Sequence, residues 1–288
     1  METKELIKKI RKIEIKTKVL SGNIFAGQYL SSFKGKGMSF SEVREYQYGD
    51  EVRNIDWNVT ARFNHPYVKV FEEERELTVV LLIDLSGSLS FGTNKQLKRE
   101  LVAEVSAVLA FSALLNNDKI SALLFTDKVE KFIPPKKGKK HVLRIISEIL
   151  NFNPQSSKTN ISSSLYFLIN AIKKRSIIFL LSDFLSKIDF EDKLKIISKK
   201  HDLIVIKIND IKEQQIYNLG LTYIHDPENK KNYLVDFSDK KFQLAFQSWL
   251  NEHNKNLDTL FKKYNINYIN LYTGEDYVKP LIKLFEMR

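Results

Sequence analysis

Hydrophobic residues beyond the first quarter of the chain form short unbroken runs that alternate with stretches of helical spacing. Residues 77–84 and 176–181 are apolar at nearly every position, as in central parallel strands buried on both faces. Between these runs, residues 95–115 repeat apolar side chains near the helical period. Strands that alternate with helices predict a doubly wound, mostly parallel α/β sheet.

The remaining elements continue this alternation. Further strands are predicted at 119–125, 129–133, 203–208 and 266–271, and further helices at 141–150, 161–172, 190–199, 240–264 and 276–285. Pro134 and Pro135 should end the short strand at 129–133 and favour an edge position, because proline cannot donate to a central ladder. Two short runs flank a polar segment and predict an inserted hairpin near 217–238.

The first quarter of the chain has a different pattern of residues. Residues 4–20 place apolar side chains among lysines at helical spacing, which predicts an amphipathic helix. In residues 21–75, glycines, aromatics and short alternating runs predict a small, loop-rich and partly β module. We therefore expect two regions: residues 1–76 as the N-terminal helix and β-rich module, and residues 77–288 as the α/β domain.

A polar loop after the first buried strand carries the most specific chemistry. Asp84, Ser86 and Ser88 stand at alternate positions and offer hard oxygen donors, which suit Mg²⁺ or Mn²⁺ rather than zinc or copper. Because such a cation needs about six oxygens, more donors should come from other loops at the carboxyl edge of the sheet, where α/β proteins bind ligands. Thr159, before a predicted helix, and Asp183, just after the strand at 176–181, stand in such loops.

Two other interpretations of this loop are open. Serine and aspartate commonly cap a strand-to-helix turn, although capping alone predicts no distant partners. An aspartate at a strand end can also act as the nucleophile of a Mg²⁺-dependent phosphoryl-transfer hydrolase. Haloacid-dehalogenase-type phosphatases carry a second aspartate two residues later, where this chain has Ser86, so Asp84 as a nucleophile is the weaker alternative.

The composition restricts the class of protein and its compartment. The chain has 288 residues and no cysteine, which excludes disulfides, thiolate metal sites and a cysteine nucleophile. No apolar run reaches the roughly 20 residues of a membrane helix, and no signal-peptide core is present, so we expect a cytoplasmic protein that is not transmembrane. The net charge of +11 leaves a basic nucleic-acid-binding protein as an alternative, which the even spread of lysines disfavours.

Arginines and acidic residues alternate in the glycine-rich N-terminal module. Arginine pairs bidentately with carboxylates, so these residues could form an ion-pair lattice that fixes the loops. The alternative is a surface that docks a partner, with Arg44, Arg53 and Arg62 as the candidate partner-binding residues. The acidic residues nearby are Glu45, Asp50, Asp56 and Glu74.

The order Asp84-x-Ser86-x-Ser88, a later Thr159 and a strand-end Asp183 resembles the metal-ion-dependent adhesion site of von Willebrand factor A domains. The resemblance implies that Ser86, Ser88 and Thr159 coordinate the cation directly. It implies that Asp84 and Asp183 act mostly through bound water. It also implies an open coordination position that takes an Asp or Glu carboxylate from a partner protein.

The N-terminal module resembles the bacterial family known as domain of unknown function 58. The segments that carry this resemblance are 32–40, 43–58, 61–62 and 74–75. In that family such a segment precedes a von Willebrand A domain, and the members are typically found beside MoxR-type AAA+ ATPases. The resemblance implies an adaptor in chaperone-like assembly or remodelling, with a MoxR-type ATPase as its partner. We therefore predict a non-enzymatic, cation-dependent protein-binding adaptor without a small-molecule substrate.

Overall fold

The computed structural model describes residues 37–74, 77–93, 96–214, 217–229 and 231–286. These residues divide into two compact units, a small one within residues 33–77 and a large one formed by the described residues from 78 onward. The helix predicted at residues 4–20 lies outside the described residues.

An antiparallel strand pair is the main element of the small unit. Strands β1 (Gly37–Glu45) and β2 (Tyr67–Glu74) pair along their length, and helix α1 (Trp57–Phe63) lies between them in the chain. The helix begins after Asp56 because the carboxylate of Asp56 accepts hydrogen bonds from two backbone N–H groups of the first turn. The small β-containing module predicted from the sequence is confirmed.

A mixed sheet of six described strands forms the core of the large unit. The strands of this unit are β3 (Thr78–Asp84), β4 (Lys119–Phe125), β5 (Val129–Lys136), β6 (Ile177–Ser182), β7 (Asp202–Asn209), β8 (Leu221–Asp226), β9 (Lys231–Asp236) and β10 (Asn267–Tyr272). The sheet order is β10-β7-β6-β3-β4-β5, and the pairs are parallel except for β4 with β5. Strands β8 and β9 form a separate antiparallel hairpin.

Helices cover both faces of the sheet. They are α2 (Lys98–Leu115), α3 (Lys139–Asn151), α4 (Ile161–Ala171), α5 (Glu191–Lys200), α6 (Ile211–Gln214), α7 (Lys240–Lys263) and α8 (Val278–Glu286). Val80 and Leu82 belong to a core with α4, α5 and α7, whereas the alternate residues Leu81 and Ile83 are buried toward the opposite face. The predicted doubly wound, mostly parallel α/β fold is confirmed.

Two element boundaries differ from the prediction. Strand β5 continues through Pro134 and Pro135 because it is an antiparallel edge strand, whose pairing with β4 shifts register between Ile120 and Ala122. A proline on an edge strand can direct its nitrogen away from the ladder. Helix α2 begins at Lys98, three residues later than predicted, because the backbone of Leu97 is still extended.

Among the described residues, the longest helix is α7, with 24 residues. It buries Leu250, Leu257 and Phe261 and carries lysines along its exposed side. No helix in the described ranges has both the length and the apolar character needed to cross a membrane.

The sheet has a topological switch point beside β3. The chain extends the sheet from β3 through β4 to β5 on one side, and then continues with β6 and β7 on the other side of β3. In open α/β sheets, ligands bind at the carboxyl ends of the strands where the order reverses. Strands β3 and β6 end there with Asp84 and Ser182, and Asp183 follows directly.

His201, which follows α5, should make the fold sensitive to acid. It is 2% exposed, and neither ring nitrogen has a hydrogen-bond partner among the residues that the structure describes. Burial, together with the positive charges of Lys200 and Arg175, lowers the pKa of His201 from 6.5 to about 4. Between these pH values, His201 binds a proton in the unfolded chain but stays neutral in the folded chain. The contribution of neutral His201 to the free energy of unfolding is therefore complete above about pH 6.5 and decreases as the pH falls toward 4.

We expect the free energy of unfolding contributed by His201 to fall by about 2 kcal/mol between pH 7.5 and pH 5. Urea unfolding of the wild type and of His201→Asn at both pH values measures this contribution as the difference in pH dependence. His65→Asn, at an exposed histidine, is the control and should keep the wild-type dependence. Equal pH dependence in His201→Asn and the wild type would contradict the assignment.

Candidate metal centre

The loop after β3 presents a carboxylate and two hydroxyl groups within contact distance. Asp84 is fully buried, and its Oδ1 accepts a hydrogen bond of 2.9 Å from the backbone N–H of Ser86. Its Oδ2 accepts a hydrogen bond of 2.6 Å from the hydroxyl of Ser182 at the end of β6. The hydroxyl oxygens of Ser86 and Ser88 lie 3.1 Å apart. The structure thus brings Asp84, Ser86 and Ser88 together.

Asp183 joins this group because β3 and β6 are parallel neighbours. Ile83 pairs with Leu181, so the residues that follow each strand emerge at the same edge of the sheet. Asp183 is 3% exposed. Burial raises the pKa of Asp84 to about 7, and the negative charge of Asp183 contributes to this rise. Two buried carboxylates therefore lie close enough at the switch point for their charges to interact.

Thr159 lies in the loop that precedes α4, and backbone contacts hold this loop beside the Asp84 loop. The N–H of Gly87 donates a 2.8 Å hydrogen bond to the carbonyl of Ser157, and the N–H of Asn160 donates one of 3.0 Å to the carbonyl of Thr126 at the end of β4. Asn160 also caps α4 through its side chain. All five predicted metal ligands are therefore located at one edge of the sheet, on three loops.

The ammonium group of Lys98 lies among these carboxylates, although no pattern in the sequence identifies it as a site residue. Its Nζ is 3.0 Å from Asp183 Oδ2 and 2.6 Å from Glu213 Oε1, and the side chain is fully buried. Burial lowers the pKa of Lys98, but the attraction of Asp183 and Glu213 is larger in sum, and the pKa is raised. Lys98 is therefore a fixed positive charge beside the candidate site.

Another buried aspartate, Asp210, holds together the segments around Lys98. Its carboxylate accepts hydrogen bonds from the backbone N–H and the hydroxyl of Thr93, each 2.7 Å to the nearer oxygen, and from the hydroxyl of Thr273. It also accepts a 2.9 Å hydrogen bond from the N–H of Lys212 at the start of α6, the helix that carries Glu213. Asp210 thus influences the site indirectly, because it fixes the start of the helix that carries Glu213.

Glu228 is the other site residue that sequence reasoning did not identify. It lies in the turn between β8 and β9, and the hydroxyl of Thr159 donates a 2.9 Å hydrogen bond to its Oε1. Burial raises the pKa of Glu228, the hydroxyl of Thr159 lowers it, and the charge of Asp183 raises it again. A third carboxylate is therefore in contact with the predicted ligand set.

The donor set fits a hard divalent cation. Within the described residues, no cluster of three or more His, Cys, Asp or Glu side chains has the arrangement of a metal site. The candidate centre consists instead of hydroxyl and carboxylate oxygens, the ligands that Mg²⁺ and Mn²⁺ prefer. The buried carboxylates of Asp84 and Asp183 add negative charge that a bound divalent cation would neutralise. The residues present therefore fit the cation that the sequence pattern predicts.

The three candidate arginines of the small unit differ in their contacts and exposure. Arg44 donates two hydrogen bonds to the carboxylate of Asp50, at 2.8 and 2.7 Å, and this interaction lowers the pKa of Asp50. This bidentate pair belongs to the ion-pair lattice that the sequence allows. Arg53 and Arg62 are exposed, so a docking role for these two residues stays a prediction.

Comparisons with known proteins agree with this architecture. A family model described as Protein of unknown function DUF58 matches residues 42–256. An uncharacterized protein of Mycobacterium tuberculosis (strain ATCC 25618 / H37Rv) is 26% identical over 284 residues, which cover 97% of this chain and 88% of the relative. Among solved structures, an aerotolerance-related membrane protein from Bacteroides fragilis NCTC 9343 is 13% identical with a TM-score of 0.51, over 73% of this chain and 97% of that protein. This likeness shows a shared fold.

A further solved structure is proximal thread matrix protein 1 from the mussel byssus, with a zinc-occupied MIDAS motif. It is 14% identical with a TM-score of 0.41, over 74% of this chain and 46% of that protein.

Proposed function

This chain belongs to the family described as Protein of unknown function DUF58, and on that premise we propose that it is a non-enzymatic, divalent-cation-dependent binding protein. The observation that carries the proposal is the convergence of Asp84, Ser86, Ser88, Thr159 and Asp183 at the switch point of the sheet. Local capping explains the Asp84 loop, but it gives no reason for a second buried carboxylate across the strand pair.

The proposed roles of the five residues follow the resemblance to metal-ion-dependent adhesion sites. Ser86, Ser88 and Thr159 would hold the cation directly, and Asp84 and Asp183 would hold it through water. A bound Mg²⁺ or Mn²⁺ supplies an electrophilic position for a carboxylate oxygen. The chain's own residues would position that cation, and the resemblance implies one further coordination position for an Asp or Glu side chain of a partner protein.

We propose a MoxR-type AAA+ ATPase as the partner, in chaperone-like assembly or remodelling. The support for this partner is the family resemblance in residues 32–75. The net charge of +11 agrees with an acidic docking surface, since opposite charge accelerates encounter. The geometry of the candidate metal centre supports the cation dependence of the interaction rather than the identity of the partner.

Phosphoryl transfer by Asp84 is the rival function, and the contacts of Asp84 disfavour it. Both carboxylate oxygens already accept hydrogen bonds, from Ser86 N–H and from the Ser182 hydroxyl, and the side chain is fully buried. A nucleophile needs an oxygen that can reach the substrate in an open cleft. The residue two positions later, where the haloacid-dehalogenase pattern has its second aspartate, is Ser86.

The proposed function is tested by co-purification of the tagged full-length chain with the MoxR-type ATPase of the same organism. We expect capture in millimolar Mg²⁺, loss of capture in EDTA, and loss with Ser88→Ala in Mg²⁺, because the cation and its hydroxyl ligand are both required. Capture that is equal with Mg²⁺ and with EDTA would contradict cation dependence. A phosphatase substrate panel should give no turnover, and turnover abolished by Asp84→Asn would establish the rival enzyme.

A further inference from the structure

The tip of the β8–β9 hairpin contacts the rest of the large unit. Its two strands pair only with each other among the described strands, and much of the hairpin faces solvent, including the side chains of Leu221, Tyr223 and Leu234. A two-stranded hairpin by itself is marginally stable in water. The contacts at the tip therefore matter for its position.

Asp226 fixes the conformation of the tip. Its Oδ1 accepts hydrogen bonds from the backbone N–H groups of Glu228 and Asn229, at 2.9 and 3.2 Å. Its Oδ2 accepts a 2.6 Å hydrogen bond from the side-chain amide of Asn229. An aspartate that binds the backbone two and three residues later holds a turn in one shape. The side chain of Glu228 therefore projects from a preorganised turn.

The tip rests against two of the three loops of the candidate metal centre. The hydroxyl of Ser157 donates a 2.9 Å hydrogen bond to the backbone carbonyl of Glu228. On the other loop, Gly87 approaches Pro227 so closely that a Cβ at position 87 would lie 2.9 Å from the Pro227 carbonyl oxygen. The absence of a side chain at Gly87 thus lets the tip reach the edge of the sheet where the predicted ligands lie.

The carboxylate of Glu228 then meets a predicted ligand directly. Its Oε1 accepts the 2.9 Å hydrogen bond from Thr159, and the nearby charge of Asp183 repels it. In a site with two other carboxylates, a third carboxylate is unfavourable unless positive charge lies close to it. The ammonium group of Lys98 contacts Asp183 and Glu213 rather than Glu228 in the described structure. A partner's Asp or Glu would present the same chemical group at the same place.

We propose that Glu228 is an internal carboxylate ligand of the cation site, so that the hairpin tip and an acidic partner compete for one position. This inference rests on the proposed function, because it requires a cation held by Ser86, Ser88 and Thr159. Partner binding then includes displacement of the tip, and the hairpin is a built-in competitor that lowers affinity for weakly acidic surfaces.

The experiment uses the full chain and Mn²⁺, whose bound waters are counted by water-proton relaxation. Glu228→Gln keeps the size of the side chain and removes its charge. We expect Mn²⁺ to bind about 10-fold more weakly to this variant and to carry about one more exchangeable water than in the wild type. Asp236→Asn is the matched control, because it removes one negative charge from the exposed base of the same hairpin; it should match the wild type in both quantities.

The outcomes separate this inference from the proposed function. In one outcome, the wild type binds Mn²⁺ and Ser86→Ala weakens this binding, but Glu228→Gln changes neither the affinity nor the number of bound waters. This result overturns the role of Glu228 and leaves the proposed function in place. Equal changes in Glu228→Gln and Asp236→Asn also overturn it, because a general charge effect would then explain the result. If the wild type binds no Mn²⁺, the inference and the proposed function both fail.

Discussion

Replacing Lys98 with methionine should lower the free energy of unfolding by about 3–5 kcal/mol in the presence of EDTA. The ammonium group contacts both Asp183 and Glu213 and is fully buried, so its removal leaves two carboxylates in a low-dielectric environment without their positive partner. Methionine has a similar length and keeps most of the packing. The loss should therefore come from the unpaired charge rather than from a cavity.

Urea unfolding of the wild type, Lys98→Met and Lys240→Met measures this effect. Lys240 is a matched control because it is also the first residue of a helix, α7, but is exposed; its replacement should change stability by less than about 0.5 kcal/mol. Mg²⁺ should recover part of the stability lost in Lys98→Met, since a bound cation places positive charge beside the same Asp183. A loss below about 1 kcal/mol in Lys98→Met, or an equal loss in Lys240→Met, would refute the role of Lys98 as the buried counter-charge.

The second large effect is expected from Asp84→Asn. At a Mg²⁺ concentration of about 100 times the Kd, the free energy of unfolding of the wild type should be about 2.7 kcal/mol higher than in EDTA. The variant should gain almost nothing, because it lacks one of the two carboxylates that attract the cation. Asparagine can keep the local contacts: its carbonyl oxygen can accept from Ser86 N–H, and its amide can donate to Ser182. In EDTA the variant should be at least as stable as the wild type, because one of two neighbouring buried charges is gone.

Thermal melts in EDTA and in Mg²⁺ measure this difference, with Asp118→Asn as the control. Asp118 is also buried but directly precedes β4, at the opposite edge of the sheet, so its variant should keep the full gain from Mg²⁺. A gain in Asp84→Asn as large as in the wild type would show that the cation binds elsewhere. A large loss of stability in EDTA would show instead that the carboxylate of Asp84 is needed by the fold.

The part of the site that the sequence predicted depends on local spacing and strand ends. Asp84, Ser86 and Ser88 follow a fully apolar run, so their place at the carboxyl edge follows from the fold class alone. Asp183 follows a second run of the same kind. Thr159 has a weaker local signal, because it stands in a polar loop before a predicted helix rather than directly after an apolar run, and the resemblance to a known motif strengthens that signal. The core strands were predictable for the same reason, since a strand buried on both faces has an unbroken apolar pattern.

Lys98 and Glu228 could not be predicted because their partners are distant in the chain. Lys98 is one of 46 basic residues, and its partners Asp183 and Glu213 lie on other elements. Its place at the start of α2, where the helix dipole disfavours a positive charge, gave no signal either, because the sequence pattern predicts that helix from residue 95. Glu228 stands in a polar turn that resembles any solvent-exposed hairpin loop. Only the packing of the tip against Gly87 and Ser157 reveals its contact with Thr159.

Calorimetric titration of Mg²⁺ or Mn²⁺ into the metal-free full chain tests the central claim, that hydroxyls and carboxylates at the switch point hold a divalent cation. The wild type should bind one ion, Ser86→Ala and Thr159→Ala should bind it at least about 10-fold more weakly, and Ser112→Ala should match the wild type. Ser112 is a buried serine of α2 whose hydroxyl donates to the carbonyl of Val108, away from the site. Absence of binding by the wild type at millimolar concentration, or equal binding by all four proteins, would contradict the claim.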